Sequence, residues 1–337
     1  MKKRKRTIAL LIAFGLCFTI VPAESNDISN AATATPVERH GNLMVKGADL
    51  LDQNGEVYQL RGISTHGIAW YPQYVNKAAF KNLRDQWGMD MVRLAMYTEE
   101  YNGYTNSGTE NRKKQRKIIY KGIDAATDLG MYVIVDWHIL SDGNPNKHLS
   151  SAKNFFQLVS KKYSNQNNVI YEICNEPNGK TSWSQIKAYA KKVIPVIRKN
   201  DPNAVIIVGT PTWSQDVDQA ATSPLKGYKN LLYSLHFYAG THKQALRDKL
   251  SSARKKGLPI FVSEFGISDA SGSGALNKTQ GNKWISLLNQ YDISYAAWNF
   301  SNKKESTALL KPSCKKTSGF TRNDLSAYGR WFVDKLK

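Results

Sequence analysis

The stretch Met-Tyr-Val-Ile-Val-Asp, residues 131–136, indicates how this chain folds. Tyr132 to Val135 are all apolar, which is typical of a parallel strand buried on both faces. Gly130 lies directly before the stretch, at a position where glycine commonly ends a helix. The stretch therefore predicts a helix followed by a buried parallel strand, the repeating unit of an α/β protein.

Similar apolar runs recur along the chain and alternate with amphipathic segments. The predicted strands are residues 60–63, 89–94, 131–136, 169–173, 204–208, 231–235, 260–263 and 294–297. The predicted helices are residues 77–86, 112–129, 152–163, 184–200, 243–256, 278–290 and 324–336, with a less regular helix after Trp213. This alternation is typical of a closed barrel or an open doubly wound sheet, and periodicity alone does not separate the two.

The first residues of the chain indicate export. Lys2 to Arg6 precede an apolar run from Ile8 to Val21, which is shorter than the about 20 residues of a membrane-spanning helix. Residues 1–31 are therefore interpreted as a cleaved secretory signal peptide, and an uncleaved amphipathic anchor would need a polar face that this run lacks. The remaining roughly 300 residues are a usual length for one (β/α)8 barrel.

We accordingly predict fold class α/β and a single domain over residues 32–337, whose length is usual for one (β/α)8 TIM barrel. Residues 41–60 are predicted to form a short N-terminal β-hairpin around the turn 52–55, which would close the bottom of the barrel. After cleavage only Cys174 and Cys314 would remain, too few for a disulfide scaffold. Stability is therefore expected to come from burial of apolar side chains.

The chain is strongly basic, with a formal net charge of +20 that becomes +15 if cleavage follows Ala23. Such a charge is compatible with nucleic acid, an anionic cell wall or an acidic polymer as partner. The lysine pairs are spread along the sequence, at 113–114, 161–162, 191–192 and 255–256. We interpret them as solvated helix faces, with weak retention at an anionic wall as the alternative, and expect no nucleic-acid partner.

Polar and aromatic residues end or follow nearly every predicted strand, where a barrel of this class carries its active site. They are His66, Trp70, Arg93, Trp137, His138, Asn175, Glu176, Trp213, His236, Tyr238, Glu264 and Trp298. Each has an ordinary structural explanation, such as an ion pair, a hydrogen-bonded core histidine or packing. Together they would bring many polar groups to one pole of the barrel, which indicates a functional site there.

Two carboxylates stand out, because Glu176 and Glu264 follow strands four and seven, which lie across the barrel mouth from each other. A converging pair of carboxylates can hydrolyse a glycosidic bond. A separation near 5 Å lets one attack the anomeric carbon while the other protonates the leaving oxygen, whereas a wider gap admits water and inverts the configuration. The sequence leaves both outcomes open.

Residues 169–177, Val-Ile-Tyr-Glu-Ile-Cys-Asn-Glu-Pro, and 261–266, Phe-Val-Ser-Glu-Phe-Gly, resemble the acid/base and nucleophile signatures of glycoside hydrolase family five. Residues 66–71, 92–94, 136–138, 236–238 and 298–300 are similar to the matching blocks of bacterial secreted endo-1,4-β-glucanases (cellulases). The resemblance covers almost all of the mature chain. It implies cleavage of internal linkages in cellulose-type β-glucan with retention of configuration. We expect a secreted monomer without cofactor or metal ion.

The resemblance also implies a role for each matching residue. Glu264 would form a covalent glycosyl-enzyme, and Glu176 would act first as acid and then as base. Arg93 and Tyr238 would hold Glu264 ionised, and Asn175 would bind the sugar 2-hydroxyl. The other expected substrate-binding residues are His66, His138 and His236, the stacking platforms Trp70, Trp213 and Trp298, and Lys303 and Glu305 at a distal glucosyl unit. Lys303 and Glu305 could equally belong to an ordinary solvated loop.

We also expect Glu176 to be protonated at rest, because the nearby charge of Glu264 disfavours a second one. Many similar enzymes continue into a cellulose-binding module, and the end of this sequence at Lys337 predicts a poor hold on crystalline cellulose. The loop 141–146 lacks the acidic spacing of a calcium site and is predicted to be a cleft loop.

Three alternatives remain open on the sequence. A mannanase, lichenase or xyloglucanase would need the same two glutamates and would differ only in its subsites. A metal-dependent hydrolase could use His66, His138 and His236, although these lack the spacing of a prebuilt metal site. A non-catalytic wall-binding protein would exploit the positive charge but has no need for the two glutamates.

Overall fold

The computed structural model describes residues 34–337, so the predicted signal peptide over residues 1–31 lies outside the described part. The described chain begins with helix α1 (Pro36–His40), strand β1 (Met44–Lys46) and strand β2 (Asp49–Leu51). The strands that follow are β3 (Arg61–Thr65), β4 (Met91–Tyr97), β5 (Tyr132–His138), β6 (Val169–Glu172), β7 (Ile206–Val208), β8 (Leu231–Tyr238), β9 (Ile260–Gly266) and β10 (Tyr295–Phe300).

Strands β3 to β10 form a closed barrel in which each strand pairs in parallel with the next along the chain. The barrel closes where β10 pairs with β3, for example through Ala296 opposite Gly62. The predicted (β/α)8 barrel is therefore confirmed, and the open doubly wound sheet is wrong. The eight barrel strands run in one direction, so their C-terminal ends meet at one pole of the barrel.

Several strands are longer than predicted at their C-terminal ends. The prediction stopped β4, β8 and β9 at Leu94, Leu235 and Ser263, but each of these strands continues for three more residues. The polar residues in these extensions are buried, as Asp136 and His138 are in β5. Strand pairing therefore extends into the mouth of the barrel, because its polar side chains bond to one another rather than to water.

The helices lie between the strands and after the last one. They are α2 (Lys77–Trp87), α3 (Gly108–Asp128), α4 (Leu149–Lys162), α5 (Trp183–Arg198), α6 (Pro211–Ser214), α7 (Val217–Thr222), α8 (Gln244–Lys255), α9 (Lys278–Gln290) and α10 (Ala327–Val333). Short 3₁₀ helices cover Pro72–Tyr74, Pro145–His148 and Arg322–Asp324. No helix within residues 34–337 is long and apolar enough to cross a membrane.

Two predicted helices differ from the structure. The helix expected after Trp213 is the short α7, and it is preceded by α6, inside which Thr212 and Trp213 have left-handed φ angles of 56° and 54°. The helix predicted over 324–336 starts later, at Ala327, because extended Leu325 separates it from the preceding 3₁₀ turn.

The N-terminal hairpin is confirmed, but its second strand is not where the sequence predicted it. Strand β1 pairs with β2 around Gly47, and of residues 57–60 only Val57 forms an isolated bridge, with Leu51. The Asp52 carboxylate accepts hydrogen bonds from the backbone N–H groups of residues 54 and 56, which turns the chain directly after β2. Leu43 and Leu50 then pack against the apolar layer inside the N-terminal end of the barrel.

The barrel interior is divided into an apolar and a polar layer. At the N-terminal end lie side chains such as Met91, Ile134 and Ile207. Toward the C-terminal end the interior residues become charged, beginning with Arg93 two residues after Met91. Buried charges must be paired to be tolerated, so this second layer requires a specific ionic network.

Candidate active site

The polar layer of the barrel is organised around the guanidinium group of Arg93, which is fully buried. Its Nε donates to Glu172 Oε2 at 2.7 Å, and its Nη2 donates to Asn175 Oδ1 at 2.6 Å. Nη2 also lies 3.0 Å from Asp136 Oδ2, and Nη1 donates to Glu264 Oε2 at 3.4 Å. One arginine thus connects strands β4, β5, β6 and β9 beneath the mouth.

The charges of this network support one another. Burial would lower the pKa of Arg93, but Asp136, Glu172 and Glu264 raise it above its usual range. Burial would likewise raise the pKa of Glu172, and the adjacent Arg93 lowers it to about 2. Arg93 and Glu172 therefore remain ionised throughout the ordinary pH range.

Glu264 lies at the C-terminal end of β9, opposite His236 of β8 in the strand register. Its Oε1 accepts a hydrogen bond of 2.7 Å from the hydroxyl of Tyr238, and its Oε2 accepts the bond from Arg93. Burial raises the pKa of Glu264, and the nearby Glu176 carboxylate raises it further. The side chain is therefore held by two donors while a second carboxylate lies beside it.

Glu176 is joined to the buried network through His236. His236 Nδ1 lies 2.9 Å from Glu176 Oε1, and Nε2 lies 2.9 Å from Ser263 Oγ, which donates to Glu172 Oε1 at 2.6 Å. Burial would lower the pKa of His236, but its hydrogen bonds to Glu172 and Glu176 raise it to about 9. At neutral pH His236 is therefore protonated, and its two ring N–H groups donate to Glu176 Oε1 and Ser263 Oγ.

The two glutamates converge. One oxygen of Glu176, one ring nitrogen of His236 and one oxygen of Glu264 all lie within 4.8 Å of one another. A carboxylate spacing of about 5 Å suits direct attack by one group and protonation by the other, and it leaves no room for a water molecule between carboxylate and sugar.

The glutamates open into a cleft of about 520 Å³. Ten of the predicted site residues line it: His66, His138, Glu176, Trp213, His236, Tyr238, Glu264, Trp298, Lys303 and Glu305. The other three predicted residues, Trp70, Arg93 and Asn175, do not line the cleft. Arg93 and Asn175 are buried below it, and the Trp70 ring packs behind His66 at a centroid distance of 5.7 Å.

The aromatic residues of the site differ in exposure. Trp213 is 45% exposed at the rim, whereas Trp298 is only 6% exposed. The Trp298 ring stacks on His138 with centroids 5.5 Å apart. The left-handed backbone of Trp213 and the hydrogen bond from its N–H to Pro177 O, 3.0 Å, place it beside Glu176.

His138 is oriented from below by Asp136, whose Oδ2 lies 2.5 Å from its Nδ1. Burial and the positive charge of Arg93 lower the pKa of His138 to about 4. The ring is therefore neutral at ordinary pH, and its Nδ1–H donates to Asp136. Its Nε2 remains available as an acceptor.

Lys303 and Glu305 lie at one side of the cleft. Lys303 Nζ is 2.6 Å from Glu305 Oε2 and 3.2 Å from His66 Nε2, and the Asn299 amide donates to Glu305. Burial lowers the pKa of His66 to about 3, and Lys303 contributes to the lowering. Lys303 and Glu305 thus form an ion pair that lines the cleft.

Sequence reasoning missed several cleft residues, namely Tyr97, Leu140, Gln215, His242, Ala270, Ser271 and Gly272. Tyr97 is the last residue of β4 and would have been found if the strand had been continued past Leu94. Residues 141–146, predicted as a cleft loop, contribute no lining residue. Asp142 instead turns inward and accepts the Thr98 hydroxyl at 2.7 Å.

Asp136, Glu172 and Ser263 also received no role from the sequence, although they lie inside the quoted motifs. Each of them is a polar residue in an otherwise apolar strand, and this pattern could have identified them.

Within residues 34–337, Glu176, His236 and Glu264 are the one group whose atoms could converge on a metal ion. Both nitrogens of His236 already lie at hydrogen-bond distance from Glu176 and Ser263. A metal ion would have to displace these contacts. The arrangement is better suited to proton transfer than to metal binding.

Comparison with known proteins identifies the family and the relatives of this chain. A family model described as Cellulase (glycosyl hydrolase family 5) matches residues 51–304. Endoglucanase A of Butyrivibrio fibrisolvens is 45% identical over 314 residues, which cover 93% of this chain and 72% of that protein. An endoglucanase of Clostridium saccharobutylicum is 47% identical over 332 residues, covering 98% of this chain and 72% of that protein.

Among solved structures, the catalytic domain of Thermobifida fusca endoglucanase Cel5A in complex with cellotetraose is similar at a TM-score of 0.85. Its sequence is 38% identical, and the match covers 90% of this chain and 99% of that one. The family match spans most of the described barrel, including both glutamates. This chain therefore belongs to glycosyl hydrolase family 5.

Proposed function

We propose that this protein is an endo-1,4-β-glucanase that hydrolyses internal linkages of cellulose-type β-glucan and retains the configuration of the anomeric carbon. The observation that carries the proposal is that Glu176 and Glu264 converge to within 4.8 Å in the cleft. The relatives named endoglucanase support the substrate class.

Glu264 acts as the nucleophile. Tyr238 and Arg93 orient its two oxygens, so that one of them can attack the anomeric carbon while the glycosidic bond breaks. The product of this step is a glycosyl ester of Glu264 and a shorter glucan chain. Hydrogen bonds from Tyr238 and Arg93 favour the ionised form that attacks.

Glu176 supplies the proton that the leaving oxygen needs. His236 Nδ1, 2.9 Å from Glu176 Oε1, orients the carboxyl group, which gives its proton to the leaving oxygen in the first step. In the second step Glu176, now ionised, takes a proton from water, whose oxygen attacks the anomeric carbon and releases Glu264.

Asn175 is proposed to bind the 2-hydroxyl of the sugar at the cleavage point. Its Oδ1 is occupied by Arg93, and one hydrogen of its Nδ2 by Ile139 O at 3.0 Å. One amide hydrogen remains for the substrate. The other cleft residues, including Trp298, Lys303 and Glu305, are proposed to bind further glucosyl units.

We further propose that the protein is exported after removal of residues 1–31 and acts as a monomer with one catalytic domain over residues 32–337. The basic and apolar composition of the first 21 residues supports export. Assays in the presence of EDTA should show unchanged activity, because the proposed mechanism needs no metal ion.

A 2-deoxy-2-fluoro cellobioside with a good leaving group tests the mechanism. The fluorine slows both steps and the leaving group restores the first, so the glycosyl-enzyme accumulates. Mass spectrometry of peptides should locate the sugar on Glu264. A label on another residue, or inversion of configuration seen by NMR of the product, would overturn the proposal.

The same protein should be assayed on carboxymethylcellulose, barley β-glucan, mannan and xylan. The highest kcat/KM is expected on the glucans that contain β-1,4 linkages. A preference for mannan or xylan would contradict the proposed substrate while leaving the two-glutamate mechanism in place.

A further inference from the structure

Three consecutive helices on the outside of the barrel carry most of its excess positive charge. Helices α3, α4 and α5 contain thirteen lysines and arginines but only three carboxylates, and all three carboxylates are on α3. In the sequence the lysine pairs look scattered. The fold brings the pairs at 113–114, 161–162 and 191–192 onto these three neighbouring helices.

The three helices form a continuous surface. The hydroxyl of Tyr163, directly after α4, donates to Asp124 Oδ1 of α3 at 2.8 Å. The amide of Asn200, after α5, donates to Ser160 Oγ of α4 at 2.9 Å. Lys162 Nζ lies 5.4 Å from the centre of the Tyr120 ring of α3, so it is at the junction of two helices.

Most lysines of this surface have no acidic partner. Lys113 pairs with Glu110 at 2.8 Å. Among residues 34–337 no carboxylate lies within 4.0 Å of the exposed Lys114, Lys117, Lys161, Lys162, Lys191 or Lys192. We call the exposed lysines of α3, α4 and α5 the basic surface. Mobile counter-ions must neutralise it in solution, and a polyanion that displaces them gains the entropy of their release.

The basic surface leads into a groove at the N-terminal end of the barrel. The groove has a volume of about 970 Å³ and is lined by residues 164–167, after α4, and 201–205, after α5. The side-chain amides of Asn165, Gln166 and Asn167 make no hydrogen bond to another residue of the described chain. The neighbouring Asn168, in contrast, donates to Met131 O at 2.8 Å and to Thr127 Oγ1 at 3.0 Å.

We propose that the basic surface and this groove bind an acidic polysaccharide built of uronate sugars. Such a polymer carries a carboxylate on each sugar for the lysines and hydroxyl groups for the free amides. Lys46 and Lys229 add two more cations to the groove. None of these residues lines the cleft of Glu176 and Glu264, so the two sites can be occupied together.

The chemistry of the surface favours a glycan over a nucleic acid. Proteins that bind single-stranded nucleic acid stack bases on exposed aromatic side chains. Among the described residues the strongly exposed aromatic side chains are Tyr101 and Trp213, and neither lies on α3, α4 or α5. Binding of a uronate polymer would hold the enzyme in a mixed polysaccharide matrix while its cleft acts on the neutral glucan.

Calorimetric titration of the full chain with soluble polygalacturonate at low salt tests the proposal. The variant K161Q/K162Q/K191Q/K192Q should bind about tenfold more weakly or worse, with a smaller dependence of affinity on salt. The matched control K255Q/K256Q/K278Q/K283Q loses the same charge from exposed positions at the end of α8, directly after it and on α9, and should bind almost as the parent does. Activity on soluble neutral glucan should be unchanged in both.

A second variant tests the contribution of the groove amides separately from that of the lysine charges. N165A/N167A should weaken binding of polygalacturonate several-fold without changing its salt dependence, because no charge is removed. Three results would overturn the proposal: no binding at low salt, equal loss of affinity in the two quadruple variants, or tighter binding of a DNA duplex than of polygalacturonate. Because the parent protein alone gives the first and third results, the test does not depend on the variants folding.

Discussion

At the scale of single residues, the site consists of a buried charged layer and, above it, the two carboxylates proposed to be catalytic, Glu176 and Glu264. Arg93 has three acidic partners within 3.4 Å, and only Glu264 among them reaches the cleft. Asp136 and Glu172 therefore act through Arg93 and through His138 and His236. An isolated buried charge would be costly, so removal of any one partner should disturb the others.

The role of Glu176 can be tested through the leaving group. In the variant Glu176→Gln, kcat/KM on carboxymethylcellulose should fall by about 10²- to 10⁴-fold, because the leaving sugar oxygen needs a proton. The burst of 2,4-dinitrophenol from its cellobioside should remain close to that of the parent, since this leaving group needs none. Stopped-flow absorbance measures the burst.

The exposed Glu38 provides a control, because Glu38→Gln removes a carboxylate far from the cleft and should leave both activities unchanged. An equal loss on both substrates in Glu176→Gln would contradict its role as acid and would point to a disturbed site.

Trp213 should act on the leaving-group side, because it is hydrogen-bonded to Pro177 next to Glu176. Loss of its ring in Trp213→Ala should raise KM for cellopentaose about 3- to 10-fold, since aromatic stacking contributes about 0.5–1.5 kcal/mol. The KM for an aryl cellobioside, which has no sugar on that side, should change little. Trp213→Phe should be intermediate, and an equal rise of KM on both substrates would contradict the assignment.

At the scale of the secondary-structure elements, close packing of the strands decides which residues the barrel accepts. Gly62 of β3 lies against β4, and a Cβ atom there would be 2.1 Å from the backbone oxygen of Met91. Gly122 of α3 also packs closely, but its nearest atom would be the end of the Leu94 side chain, at 2.6 Å. A backbone atom in a barrel cannot move away, whereas a leucine methyl group can.

The variant Gly62→Ala should therefore lower the free energy of unfolding by about 3 kcal/mol, near the upper end for overpacking. Gly122→Ala is the matched comparison: its contact cost is partly offset by the about 1 kcal/mol that alanine contributes in a helix. Urea unfolding followed by circular dichroism measures both. A loss in Gly122→Ala as large as that in Gly62→Ala would contradict this account of the packing.

At the scale of the whole molecule, buried histidines should set the pH range of stability. The pKa of His66 is lowered to about 3, so between pH 6.5 and 3 the unfolded chain binds a proton that the folded chain does not. The pKa of His236 is raised to about 9, so its stabilisation is complete below pH 6.5 and is lost as pH rises to 9. The two effects together favour maximal stability near pH 6.5.

One variant can show whether His236 causes the loss of stability above pH 6.5. Between pH 6.5 and 9 the parent protein should lose about 3 kcal/mol through His236, from about 1.4 kcal/mol per pKa unit. The variant His236→Gln should be less stable at pH 6.5 but should lose much less between pH 6.5 and 9. Urea unfolding at a series of pH values gives the comparison, and parallel curves for the two proteins would contradict it.

The sequence by itself determined the class of the fold and indicated Glu176 and Glu264 as candidate catalytic residues. Continuous apolar runs such as Tyr132–Val135 mark strands buried on both faces, and their repetition predicts the α/β alternation. Glu176 and Glu264 come shortly after such runs, so their position at one pole follows from parallel strand direction. These are local signals, and they require only the residues adjacent in the chain.

Only the tertiary structure decided the closure of the barrel, the 4.8 Å convergence at the glutamates and the network of Arg93. The sequence ended β4 before Tyr97. It also missed the roles of Asp136 and Glu172, because a polar residue in a strand looks the same locally whether it ends the strand or is paired inside it. The basic surface was missed because its lysines are far apart in the sequence and lie on three different helices. Distances between side chains of different strands and helices depend on packing between segments far apart in sequence, and no local pattern encodes them.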